Sequence, residues 1–282
     1  MTLREAKQQL LLCLYDYYSD SEASIIVEMA LEELTQLPRI ERITNKQLPL
    51  SIGQVDDLKR MIQQLADRRP IQYIIGKAWF YGLPFKVSEA VLIPRPETEE
   101  LVDWIVKDKQ SVDELKIIDI GTGSGCIAIS IKNKLPQADV TAVDTSANAL
   151  AVAHENATAN QTPIAFVQMD FLVEAEWSKL DQYDVIVSNP PYVKQSEASS
   201  MLPHVLAYEP HLALFVADDD ALIFYKALAS FCQKHLRKNG SLYVEINEAL
   251  ANEVMSLFYA YGFATVEIRN DAQGKARMVK AC

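Results

Sequence analysis

Lys116-Ile117-Ile118-Asp119-Ile120 is a short apolar run, and Gly121-Thr122-Gly123-Ser124-Gly125 follows it at once. Cys126 to Leu135 then reads as a helix, ended by Pro136. Strand, glycine-rich loop and helix in direct succession is the context in which a glycine motif has structural meaning. The glycines let a backbone approach a ligand closely, and the N–H groups of a helix start lie beside them. The spacing is Gly-x-Gly-x-Gly rather than the Gly-x-Gly-x-x-Gly of dinucleotide enzymes. From Leu115 onward the chain alternates strands and helices, so an α/β fold is expected.

Ala138 to Val143 is the second strand of this series, with Asp144 at its end. An acid at that place can accept hydrogen bonds from ribose hydroxyls; alone, it reads equally well as a loop cap. Ile164 to Met169 is the third strand, followed by Asp170 and Phe171. Asp170 can accept from an exocyclic amine, and Phe171 can lie against a purine face. Three strand ends that offer glycines, Asp144 and Asp170 together favour an adenosine site. Tyr183 to Val187 is the fourth strand, and it runs into Ser188-Asn189-Pro190-Pro191-Tyr192. The prolines stop regular structure, so Asn189 is presented at the carboxyl end of a buried strand, where open α/β sheets bind ligands. Taken by itself the same stretch is only a strand and a proline-rich turn.

The remainder completes a sheet. Asp218-Asp219-Asp220 is expected to open a long helix, with Lys234, Arg237 and Lys238 near its end and Gly240 as its stop. Leu242 to Ile246 reads as a fifth strand and Glu248 to Tyr259 as a helix. Phe263 to Arg269 and Ala276 to Ala281 read as a short-connected, antiparallel pair. Upstream, residues 3 to 69 read as helices, among them Leu3 to Tyr18 and one opened by Ser19-Asp20-Ser21-Glu22 at capping-box spacing. That region is either a helical domain with its own core or a platform for a protein partner. Trp79 to Leu92 reads as a β-hairpin or bent strand pair. In Ile93-Pro94-Arg95-Pro96-Glu97-Thr98, Thr98 is placed to cap a helix from Glu99 to Val106, and Arg95, if buried, needs a partner. Three parts follow: a helical domain over 1–76, a β-hairpin linker over 77–95 and an α/β domain over 96–282.

Composition removes several function classes. The net charge is −11, which opposes general affinity for a nucleic acid backbone. Cys13, Cys126, Cys232 and Cys282 form no CxxC pair, and the four histidines are dispersed. Neither a metal site nor a disulfide framework is expected, and the thiols read as small buried groups in a reducing compartment. The start of the chain is neither a signal peptide nor a membrane span. A cytoplasmic protein is expected.

Five segments carry a resemblance. They are Gln72-Tyr73-Ile74 with Gly76, Leu92-Ile93-Pro94-Arg95-Pro96-Glu97-Thr98-Glu99, Asp119 to Gly125, Asn189-Pro190-Pro191-Tyr192, and Tyr208-Glu209-Pro210. With them the chain resembles the class I S-adenosylmethionine-dependent methyltransferases. More closely, it is similar to the peptide chain release factor N5-glutamine methyltransferase family. The resemblance implies a Rossmann-like seven-stranded sheet with its last strand antiparallel. It implies that Gly121, Thr122, Gly123, Ser124, Gly125, Asp144, Asp170 and Phe171 hold S-adenosylmethionine, with Asn189 close to it. It implies that Asn189, Pro190, Pro191 and Tyr192 hold the substrate glutamine, and that Asn189, Pro190 and Tyr192 act in catalysis. The substrate implied is the glutamine of the Gly-Gly-Gln motif in class I release factors. A monomer is expected, with no metal, no direct nucleic acid contact and no membrane.

The residues suit that chemistry. A carboxamide nitrogen is a poor nucleophile because its lone pair is delocalised into the carbonyl. The Asn189 side-chain oxygen and the Pro190 carbonyl can each accept one N–H of a substrate amide, which aims the nitrogen and favours its pyramidal form. Tyr192 can stack on the amide plane. Adenine also offers a planar NH2, so an exocyclic-amine methyltransferase of nucleic acid is the rival reading; it needs a basic groove. A non-catalytic cofactor-binding scaffold is the third.

Overall fold

The computed structural model describes residues 1–112 and 114–282. The chain divides into two units, Met1–Gly76 with Leu202–Tyr208, and Lys77–Met201 with Glu209–Cys282. In the first unit, helices span Leu3–Leu14, Asp20–Thr35, Arg39–Thr44, Ile52–Ala66 and Ile71–Ile75. Three of them start on a reciprocal capping box: Thr2 with Glu5, Ser19 with Glu22, and Ser51 with Gln54. Each box satisfies two of the N–H groups that a helix start leaves open. Leu10, Leu14, Val27, Leu31, Leu58 and Leu65 form the core of this unit. The first helix stops at Leu14, short of the expected Tyr18. The short helix Pro203–Tyr208 also belongs here, and its Tyr208 hydroxyl donates to the Asp67 carbonyl at 2.9 Å.

The second unit begins with a hairpin of strands β1 (Lys77–Phe80) and β2 (Leu83–Lys86). Phe80 pairs with Leu83, which leaves Tyr81 and Gly82 as a two-residue turn, both at positive φ. Such a turn matches the right-handed twist of the strands it joins. The residues from Val87 to Leu92 lie outside the hairpin, which is shorter than the sequence suggests.

Among the described residues, seven strands build the main sheet. They are β3 (Lys116–Ile120), β4 (Asp139–Asp144), β5 (Ala165–Gln168), β6 (Tyr183–Ser188), β9 (Leu236–Glu245), β10 (Val266–Asn270) and β11 (Ala276–Ala281). The short strands β7 (Val193–Lys194) and β8 (Phe215–Val216) pair only with each other. The order is β10-β11-β9-β6-β3-β4-β5, and only β11 is antiparallel to its neighbours. This is the expected Rossmann-like sheet with the last strand reversed. Its central strands are continuous apolar runs because both faces are covered. Ile118, Ile120 and Ile186 pack into one core with Tyr225, Phe231 and Phe258. Ile117, Val185 and Val187 pack into the other with Trp104, Ile129 and Tyr243.

One region departs from the sequence reading. The helix expected from Asp218 to Lys238 spans only Ile223–His235, and Leu236 enters β9 directly. Gly240 therefore stops no helix. It lies in an irregular stretch of β9, where pairing jumps from Tyr183–Leu236 to Val185–Ser241. A Cβ at Gly240 would sit 2.7 Å from Leu236 Cδ1 and 2.9 Å from the Arg237 carbonyl oxygen. The tight bulge, not a helix cap, requires the glycine. Among the described residues no helix is long and apolar enough to cross a membrane.

Candidate active site

The parallel strands β3, β4, β5 and β6 end on one edge, and their ends carry the residues singled out in the sequence. The strand order reverses between β3 and β6, since β4 and β5 continue to one side of β3 and β9 lies beyond β6. Ligands in open α/β sheets bind at such a switch point. Here it brings the glycine loop after β3 beside Asn189 after β6. The join is tight: Ser188 pairs with Ile120, and its hydroxyl donates to the Ile120 carbonyl at 2.7 Å.

The glycine loop is held from below. The N–H groups of Gly121 and Thr122 both donate to the Val143 carbonyl at 2.9 Å. Gly121, Gly123 and Gly125 have φ of 75°, 55° and 81°, values that L side chains adopt at a cost. A Cβ on Gly121 or Gly123 would meet nothing within 4 Å, whereas one on Gly125 would press on Ile129 and Ala153. Two of the glycines thus border open space and the third is demanded by packing. Asp119, fully buried, accepts from the Thr122 hydroxyl at 2.6 Å and the Ala128 N–H at 3.3 Å. Its other oxygen has no partner, and burial pushes its pKa up to about 7. Asn156, also buried, donates to the Ser124 carbonyl at 2.9 Å and pairs with the Lys86 backbone in both directions, so it ties the loop to the hairpin.

Asp144 is engaged as well. It accepts the Gly123 N–H at 2.8 Å on one oxygen and the Ser146 N–H at 2.9 Å on the other. Burial raises its pKa in spite of those bonds. Each carboxylate oxygen retains further acceptor capacity, so ribose hydroxyls and the loop N–H can share it. Asp170 is exposed and accepts the Leu172 N–H at 3.0 Å. Phe171 departs from its expected use. It is 5% exposed, stacks on Trp177 with ring centroids 5.4 Å apart, and meets Phe231 edge-on. Its ring is a core element under the Asp170 corner, not an open face for a purine.

Asn189 is half-buried and Pro190 is buried behind it. The Asn189 Nδ2 donates to the Thr98 hydroxyl at 3.1 Å. The Thr98 hydroxyl donates to Glu245 Oε2 at 2.6 Å, and the Tyr192 hydroxyl donates to Glu245 Oε1 at 3.1 Å. Tyr192 is therefore anchored by its hydroxyl; burial, then the charge of Glu245, pushes its pKa up and keeps it a phenol. Thr98 caps no helix. The helix runs Pro96–Lys109 with Arg95 at its N-cap and Pro96 at the first turn, the position where proline costs no hydrogen bond. Thr98 lies inside that turn, where its side chain is buried against the site. Arg95 has the partner it needs in Glu209, at 2.6 Å.

Thr98, Glu245 and Asn156 were not legible as site residues. Thr98 sits in a run whose spacing suggests a cap. Glu245 interrupts the apolar strand Leu242 to Ile246, and a carboxylate in such a run was the one signal available. Asn156 lies on a helix, Ala147–Ala159, with no pattern around it.

A doubly wound sheet with a reversed last strand, a glycine loop after β3 and Asn-Pro-Pro-Tyr after β6 defines a Rossmann-like methyltransferase. The family model of the methyltransferase small domain matches residues 98–214, and that of the PrmC N-terminal domain matches residues 3–76. The release factor glutamine methyltransferase of Flavobacterium psychrophilum is 42% identical over 99% of this chain and 99% of its own. That of Bacteroides thetaiotaomicron is 40% identical over 95% of each. A solved SAM-dependent methyltransferase from Agrobacterium tumefaciens shares the fold, with a TM-score of 0.52 at 16% identity, over 73% of this chain and 68% of that one. This chain belongs to the release factor glutamine methyltransferase family.

Proposed function

We propose that the protein transfers a methyl group from S-adenosylmethionine to the side-chain amide nitrogen of the glutamine in the Gly-Gly-Gln motif of a class I release factor, and so acts on translation termination. The observation that carries this reading is Asn189: its Nδ2 is tied to Thr98, and among the described residues its Oδ1 has no partner. A primary amide needs such an acceptor. S-adenosylmethionine supplies, when bound, a methyl group on a sulfonium sulfur. The residues at the strand ends fit it: Gly121 and Gly123 border open space, and Asp144 and Asp170 present carboxylates there.

Asn189 Oδ1 and the Pro190 carbonyl each accept one N–H of the glutamine amide, so the nitrogen is held with its lone pair directed away from both. Positive charge that develops on the nitrogen is stabilised by the same two oxygens. Asn189 is neutral, so it orients rather than deprotonates, and the nitrogen loses its proton after transfer. Tyr192 and Pro191 stiffen the loop around the amide. The helical unit docks the protein substrate; it exposes Leu12, Ile25, Ile40 and Ile52, apolar groups suited to a protein partner. The protein is taken to act as a monomer. A net charge of −11 weighs against nucleic acid as substrate, and a release factor substrate places the enzyme in the cytoplasm.

The test is methyl transfer from labelled cofactor to an intact release factor, to the same factor with its motif glutamine changed to alanine, and to single-stranded nucleic acid. Label on the glutamine of the first alone is expected. Label on nucleic acid, or equal label on both release factors, overturns the proposal.

A further inference from the structure

The Asn189 amide could be oriented in either of two ways, and only one suits a substrate N–H. The structure contains a feature that chooses between them. Glu245 ends β9 and is 2% exposed; Thr98, at 2%, lies between it and Asn189. Burial raises the Glu245 pKa, while the two hydroxyls that donate to it and the nearby charge of Arg277 favour its ionised form, and an ionised carboxylate has no proton to give. The Thr98 hydroxyl has one proton and places it on Glu245 at 2.6 Å. Toward Asn189 that hydroxyl can then only accept, so Asn189 must turn its NH2 group to it, as it does at 3.1 Å. The second oxygen of Glu245 is filled by the Tyr192 hydroxyl at 3.1 Å. Tyr192 belongs to the same loop as Asn189, so one carboxylate fixes both ends of Asn189-Pro190-Pro191-Tyr192.

We infer that Glu245, acting through Thr98, is a positioning and specificity-determining residue: it orients the Asn189 amide so that the site accepts a hydrogen-bond donor, a primary amide, and rejects an acceptor such as a carboxylate. This rests on the reading of Asn189 given above. The alternative orientation is within reach of a single change. In Glu245→Gln the new side chain can donate to Thr98, whose proton is then released toward Asn189. Asn189 turns over and presents NH2 to the substrate. The Gln substrate loses an acceptor, while a Glu at the same position gains a donor.

The experiment measures kcat and KM on an intact release factor, and the inhibition constant of the same factor with its motif glutamine changed to glutamate. Four variants are compared with the wild type: Thr98→Val, Thr98→Ser, Glu245→Gln and Asn189→Ala. Thr98→Val is close in shape to threonine and leaves the charge of Glu245 in place, so it separates the relay from simple repulsion of a charged substrate. Thr98→Val and Glu245→Gln are each expected to lower kcat roughly ten- to a hundredfold, less than the roughly 10²–10³ for losing a preorganised polar contact outright, because Asn189 itself is kept. Both are expected to make the glutamate factor the better competitor relative to the glutamine one. Thr98→Ser, which keeps the hydroxyl, is expected to restore wild-type kcat and preference. Wild-type kcat in folded Thr98→Val, or a lower kcat with unchanged preference, overturns the inference. If Asn189→Ala loses rate while Thr98→Val does not, the relay alone fails. If Asn189→Ala keeps its rate, the assigned role of Asn189 fails, and the relay with it.

Discussion

Arg95 and Glu209, 114 positions apart in the chain, meet at 2.6 Å, and the two are unequally buried. The Glu209 side chain is 1% exposed and that of Arg95 is 34% exposed. The carboxylate also accepts the Ile93 N–H at 3.4 Å. The pair therefore closes the segment before the Thr98 helix onto the segment after the Asn189 loop, both within the second unit.

That inequality predicts unequal losses. Arg95→Ala strands a carboxylate in a buried position, at about 3 kcal/mol, whereas Glu209→Ala leaves a guanidinium that water can reach, at about 1 kcal/mol. Urea denaturation of both variants checks the order. Equal losses would mean that the two ends are alike in solution.

The glycine loop predicts a separation of stability from binding. Gly123→Ala adds a methyl group that touches nothing, at a conformational cost of about 1 kcal/mol, yet it fills open space where the cofactor is proposed to bind. Gly125→Ala places Cβ 3.0 Å from Ile129 Cδ1 and 3.2 Å from Ala153 Cβ, at φ +81°. Thermal denaturation is expected to show the larger loss for Gly125→Ala. Calorimetric titration is expected to show a weakened cofactor in Gly123→Ala; unchanged affinity there would remove the open side of the loop from the binding site.

The strand ends were legible because each one combines a local signal with a fixed consequence. An apolar run of five or six residues followed by glycine, acid or proline is ambiguous alone, but repeated in a chain that alternates strands and helices it puts those residues at the carboxyl edge of a parallel sheet. Gly121 to Gly125, Asp144, Asp170 and Asn189 are legible in this way, and the reversed last strand follows from the short connection around Gly274. The failures share a cause. At Phe171 and Gly240 local chemistry points one way and tertiary packing decides otherwise: a core ring stacked on Trp177 in one case, a bulge against Leu236 in the other. Thr98 and Glu245 lie 147 positions apart, and no periodicity or spacing rule connects residues that meet only when β9 is laid beside the helix from Pro96.

Asp119 predicts a dependence of stability on pH. Its ordinary pKa of 3.8 rises to about 7 in the folded protein, chiefly through burial. The folded state then holds a proton that the unfolded state has already lost, so stability falls as pH rises from about 4 to about 7 on this account. Asp119→Asn removes the titrating group and keeps the shape. Denaturation midpoints measured across that window should slope downward in the wild type and be flatter in the variant; parallel slopes would assign the effect to other groups.

In the proposed mechanism Asn189 orients the substrate amide at the cofactor edge and does not serve folding. Asn189→Ala removes one acceptor and leaves the Pro190 carbonyl, so methyl transfer is expected to slow by about 10²–10³, with cofactor affinity changed much less. Asn189→Asp keeps an acceptor and adds a charge that stabilises ground and transition states alike, which does not raise turnover; its rate is expected to fall between those of alanine and asparagine. The direct measurement is the single-turnover rate of methyl transfer to intact release factor, with folding verified by denaturation. A rate reduced by about 10²–10³ in a folded, cofactor-binding Asn189→Ala protein is the predicted result, and a wild-type rate in that protein would contradict the account.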